Sequence, residues 1–126
     1  PNVVISAPEY THDRSAVSAS LIVDRTHPYF FDHPCDHVPG MLLLEGCAQL
    51  SLGAFAQAGL APSRRAAIIA YDIDFTQFVE CSLPTLLTAR VSADQGGGSA
   101  TLGMEIVVSQ RDMVAGIARM HVGFPV

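Results

Sequence analysis

The sequence predicts an α+β domain in which one antiparallel sheet wraps around a long central helix at about residues 40–58. The first observation behind this is the stretch from Met41 to Ala58. Its only polar side chains are Glu45, Gln49, Ser51 and Gln57, and a helix apolar on nearly every face has to be enclosed by the rest of its domain. The second is a switch of hydrophobic period to two from Ala66 onward, which marks strands. The third is that these later strands are joined by short connections. A meander can enclose such a helix only by curling about it.

Taken in order, residues 1–14 show no clear period, although Val3, Val4 and Ile5 suit a short edge strand. Ser15 to Asp24 alternates as a strand, covered on both faces toward its end. Pro28, Pro34 and Pro39 rule out a regular helix in the loop that follows. Pro39-Gly40 then opens the long helix, with proline in the first turn, where its missing N–H is harmless. Ala58-Gly59 should end it, glycine being the usual left-handed terminator. Ile69, Tyr71, Ile73 and Phe75 form one face of the next strand, opposite Ala70, Asp72, Asp74 and Thr76. Strands at Leu86–Ala93, Ala100–Ser109 and Met113–Phe124 complete the chain, with a glycine-rich connection at 94–99 and a turn at Gln110-Arg111-Asp112.

Composition narrows the function classes. A length of 126 residues suits a single domain over 1–126 with a proper core. With 49% hydrophobic and 15% charged residues, part of the surface should be covered, as by a second copy of the chain. A net charge of −5 with seven scattered basic residues argues against nucleic acid or an anionic membrane as partner. No apolar run reaches the roughly 20 residues of a membrane helix. No signal-peptide pattern opens the sequence, and Pro1 is not an initiator, so the start reads as trimmed. Cys35, Cys47 and Cys81 show no CxxC spacing. They read as free thiols of a reducing cytoplasm, with no metal site.

Residues 27–58 carry the resemblance to known families. Pro28-Tyr29-Phe30-Phe31-Asp32-His33, followed by Val38-Pro39-Gly40-Met41-Leu42-Leu43-Leu44-Glu45 and Ala48-Gln49, resembles the 3-hydroxyacyl-ACP dehydratases of the hotdog fold. Tyr71-Asp72-Ile73-Asp74-Phe75 falls where that family has a similar strand. Asp32-His33-Pro34-x-Asp36-His37-Val38-Pro39-Gly40-Met41 is more similar to the hotdog domains of A-factor (γ-butyrolactone) biosynthesis proteins of actinomycetes. Two differences stand out. The loop from His33 to Pro39-Gly40 is two residues shorter than in the dehydratases, so either His33 or His37 fills the catalytic position. Ala48 stands where the A-factor family usually has arginine, which favours proton chemistry over acyl transfer. The resemblance implies an acyl chain carried on the phosphopantetheine of ACP or on CoA and no cofactor of the protein's own. It also implies assembly as a homodimer or larger even oligomer, unless this single unit was excised from a longer protein, since A-factor proteins carry two hotdog units per chain.

Dehydration of a 3-hydroxyacyl thioester needs a base for the C2 proton and an acid for the leaving hydroxyl, and a histidine with a carboxylic acid divides these tasks. Glu45, set among Leu42, Leu43, Leu44 and Cys47, is expected to be desolvated and to hold a proton; the plainer reading is a buried carboxyl bonded to a neighbour. His33, beside the sealing aromatic Phe31, is the first candidate base and His37 the second. Gly40 offers helix N-terminal amides to a thioester carbonyl. Gln49 lies one turn past Glu45 and either holds its carboxyl or bonds a strand as a core amide. Asp36 either orients a histidine or is solvated. Arg64-Arg65, the one adjacent basic pair, suits the phosphopantetheine entrance. The leading expectation is therefore a dehydratase-like lyase acting on an acyl thioester in polyketide, fatty-acid or other secondary-metabolite synthesis. A thioesterase or A-factor-type acyl transferase, and a non-catalytic acyl-binding domain, are the alternatives.

Overall fold

In a computed structural model, residues 3–11, 15–26, 37–57, 66–91 and 102–123 are described. Strands β1 (Glu9–Tyr10) and β2 (Ala16–Ser20) lead to helix α1 (Gly40–Gln57). Strands β3 (Ala67–Phe75), β4 (Leu86–Val91), β5 (Leu102–Gln110) and β6 (Met113–Gly123) follow. They form one six-stranded antiparallel sheet in the order β1-β2-β4-β5-β6-β3, so the strand that follows the helix ends up at an edge. This is the hotdog arrangement, a sheet curled around one helix.

Sequence chemistry accounts for the boundaries. The carbonyl of Pro39 accepts bonds from the Leu42 and Leu43 amides at 3.1 and 3.2 Å and so starts the helix. Arg111 and Asp112 both take positive φ, 51° and 62°, the twist a two-residue hairpin needs between β5 and β6. Leu42, Leu43, Cys47, Leu50, Ser51 and Phe55 recur at helical spacing and are buried. Leu42, Leu43, Cys47 and Leu50 meet Leu87, Ala89, Ile106, Val108, Ala118 and Met120 from the inner face of the sheet, and Phe55 packs with Leu102, Met104 and Val122. The close approach depends on Gly46, where a Cβ would stand 2.6 Å from Leu21 Cδ1.

Three expectations are corrected. The N-terminal edge strand is Glu9–Tyr10 rather than Val3–Ile5, and Ile5 makes only an isolated bridge to Leu21. β2 is most covered at its start, where adjacent Ala16 and Val17 are both buried; toward its end Ser20 and Ile22 are exposed around buried Leu21. The helix is not enclosed on every side, because the sheet of one chain covers only one of its faces. Met41 is 53% exposed, and Glu45, Ala48 and Leu52 on the same outer face are half-buried. At the sheet edge, Ile69, Tyr71 and Phe75 of β3 are also exposed. No helix among the described residues is long and apolar enough to cross a membrane.

Candidate functional site

Phe31, His33 and Asp36 of the predicted site lie outside the described residues, as do Arg64 and Arg65. His37 is the first described residue after that loop. Its backbone is tied to the segment that follows β3: the Val38 amide donates to the Val79 carbonyl at 2.6 Å, and His37 pairs with Glu80 in an isolated antiparallel bridge. The His37 ring lies 4.8 Å from the Phe78 ring at a tilt of 36°.

His37 stands where two cavities meet. The larger, about 720 Å³, is lined by Arg25, His37, Gln77, Phe78, Glu80, Cys81 and Ser82, so polar and charged groups share its wall with apolar surface. The smaller, about 190 Å³, is lined by His37, Val38, Gly40, Leu43, Phe75, Gln77, Phe78 and Val79, and is almost wholly apolar. His37, Gln77 and Phe78 belong to both. A half-buried imidazole at such a junction can take a proton from a group in the polar space while an apolar chain occupies the other.

Gly40 opens the helix at the wall of the apolar cavity, and a Cβ there would meet nothing within 4 Å. The Gly40 and Met41 amides precede the first intrahelical bonds, no acidic side chain stands in the first turn, and the positive end of the helix dipole faces this space. The arrangement favours negative charge on an oxygen held there.

Glu45 lines neither cavity. It sits on the half-open outer face of the helix with Met41 and Ala48, rather than sealed in apolar surroundings as expected. The reason is geometric: at about 100° per residue, Glu45 lies about 140° round the helix from the middle of the arc of Leu42, Leu43, Cys47 and Leu50 that the sheet buries. Gln49, one turn further along, accepts the Val4 amide with its Oε1 at 3.0 Å. Buried Cys47 is no nucleophile, its thiol being pushed up to about 12 by desolvation.

The sequence reading missed Phe78, Glu80 and Gln110. Buried Gln110 reaches across from the end of β5: its Oε1 accepts the Glu80 amide at 3.0 Å, and its Nε2 donates to the Glu80 carbonyl at 2.9 Å and to Thr85 Oγ1 at 2.9 Å. It thereby holds the turn that walls the larger cavity. A lone amide among the apolar residues of β5 was the available signal.

The A-factor biosynthesis hotdog domain (AfsA) family model matches residues 1–125. A "2-oxo-3-(phosphooxy)propyl 3-oxoalkanoate synthase" of Streptomyces virginiae is 35% identical over 97 residues, 75% of this chain and 29% of that protein. A Streptomyces griseus protein of the same name is 50% identical over 42 residues, 33% of this chain and 14% of its own length. The chain thus spans less than a third of the length of these curated relatives. Among solved structures, a thioesterase superfamily protein from Shewanella loihica superposes with a TM-score of 0.66 at 14% identity, covering 93% of this chain and 89% of that one. The smu.793 protein of Streptococcus mutans bound to acetyl CoA gives 0.68 at 15% identity, covering 99% and 90%. At such identities the two structures speak for the fold.

Proposed function

Because the chain belongs to the A-factor biosynthesis hotdog domain family, we propose that it transfers an acyl group from a thioester to the hydroxyl of a small phosphorylated acceptor. The name of the relatives describes an ester between a 3-oxoalkanoic acid and a three-carbon phosphooxy ketone. Dehydration fits that chemistry less well, since a 3-oxoacyl chain has no hydroxyl at C3 to lose. The observation that carries the proposal is the position of His37 between an apolar and a polar cavity.

In this reading the apolar cavity takes the acyl chain, and the pantetheine arm of ACP or CoA delivers the thioester beside Gly40. The acceptor lies in the larger cavity. His37 removes the proton of its hydroxyl as the oxygen attacks the thioester carbon, and the Gly40 and Met41 amides receive the developing oxyanion. The C–S bond then breaks, and the proton passes from the imidazole to the departing thiolate. One C–O bond replaces one C–S bond, and no redox partner is required.

The functional unit is a pair of hotdog domains, supplied by a second copy or by a second unit of a longer polypeptide. The outer edge of β3, unpaired among the described residues, and the exposed Ile69, Tyr71 and Phe75 support this, as does the half-open helix face bearing Glu45. Glu45 joins the site from that face when the pair is formed. The test is incubation with a 3-oxoacyl-pantetheine thioester and dihydroxyacetone phosphate, followed by mass spectrometry and thiol release. Phosphorylated ester appearing with equimolar thiol supports acyl transfer. Free acid alone would mean hydrolysis, and an alkene from a 3-hydroxyacyl analogue would mean dehydration; either overturns the proposal.

A further inference from the structure

Glu80 stands directly across from His37 in their antiparallel bridge. Residues opposed in this way send their side chains to the same face, with Cβ atoms about 5 Å apart. Both line the larger cavity, where Glu80 is the only carboxylate among the described lining residues, beside Arg25 and Cys81. Its backbone is held at both the amide and the carbonyl by buried Gln110, so the side chain hangs from a fixed point. The carboxylate itself is exposed, and no hydrogen bond or ion pair engages it among the described residues.

A neutral imidazole can act as a base only through the nitrogen that carries no proton, and the tautomer is set by whatever accepts the N–H of the other. We propose that Glu80 is the positioning residue for His37: its carboxylate accepts the imidazole N–H directed away from the acceptor hydroxyl and holds the ring in one tautomer. The carboxylate turns in from solvent to do so, its Cβ being held about 5 Å from that of His37 by the bridge. Phe78 packs against the same ring. Gln110 keeps the opposing strand in register.

This inference rests on His37 being the base in the reading above, and the experiment separates the two. Turnover is compared in wild type, Glu80→Ala, Glu80→Gln and His37→Ala, while 15N NMR of the imidazole reports the His37 tautomer without reference to activity. Glu80→Ala is expected to lower kcat by up to about a hundredfold with little change in KM, and to mix the tautomers in the spectrum. Glu80→Gln, whose amide oxygen accepts the same bond, should restore most of both. Wild-type kcat in Glu80→Ala, an unchanged spectrum, or a loss in Glu80→Gln as large as in Glu80→Ala would overturn the assignment. Full turnover in His37→Ala would instead overturn the choice of base, and the 15N comparison would still decide whether Glu80 orients the ring.

Discussion

The rings of His37 and Phe78 lie 4.8 Å apart and tilted by 36°, and both residues line the same two cavities. Phe78 is 78% exposed, so its aromatic surface does little for the core. It steadies the imidazole instead, and such ring contacts are worth about 1 kcal/mol.

Phe78→Ala should therefore leave the melting temperature nearly unchanged, within about 0.5 kcal/mol of stability, while lowering kcat about tenfold. Thermal melts and steady-state kinetics on the same preparation check both halves. A large fall in stability with kcat intact would contradict the assignment.

Gln110→Leu should be more damaging to stability. It preserves apolar volume but strands the Glu80 amide and carbonyl and the Thr85 hydroxyl that the amide now satisfies. Losing partners for buried polar groups costs about 1–3 kcal/mol each, and relaxation of the turn toward water recovers part of it. A net loss of about 3 kcal/mol is expected from urea titration.

Gly116 of β6 lies under Phe75. A Cβ there would stand 2.7 Å from Phe75 Cδ1 and 3.0 Å from the Asp74 carbonyl oxygen. Gly116→Ala should cost about 2 kcal/mol through overpacking, and adding Phe75→Ala should recover part of that loss. A double-mutant cycle on chemical denaturation measures the coupling. Because Phe75 walls the apolar cavity, Phe75→Ala alone should also shift preference toward longer acyl chains.

Alkali should unfold the protein partly through Cys47. The native thiol keeps its proton up to about 12, against an ordinary value of 9.0. Between those values the unfolded chain releases the proton and the native state does not, so stability is complete below about pH 9 and falls as pH rises. The slope is about 1.4 kcal/mol per pH unit. Urea midpoints at pH 8 and pH 10 should diverge more in wild type than in Cys47→Ala.

Much of the fold was legible because local chemistry and global architecture agree. Pro39-Gly40 starts the helix where proline chemistry places it, and the period-two runs after Ala66 become β3 to β6 within a few residues of their expected bounds. The N-terminal strand was misplaced because only Val4 and Ile5 of that run are buried while Val3 is exposed, and its pairing is confined to the bridge from Ile5 to Leu21. The site was only half legible. His37 and Gly40 could be picked from the loop-to-helix junction, since they adjoin it in sequence. Glu80 and Gln110 could not, because their relation to His37 exists only through strand pairing and a contact across thirty residues. Glu45 looked sealed because the run around it is apolar. Which helical face the sheet covers depends on sheet width, and no local pattern encodes that.

The central claim is that His37, between the two cavities, is the base that moves an acyl group from sulfur to oxygen. Single-turnover reaction of wild type and His37→Ala with a 3-oxoacyl-pantetheine thioester and dihydroxyacetone phosphate tests it most directly. Wild type should form phosphorylated ester and thiol together, and the folded variant should form ester at least about a hundredfold more slowly. Ester formation at the wild-type rate in His37→Ala, or thiol release without ester in wild type, would contradict it.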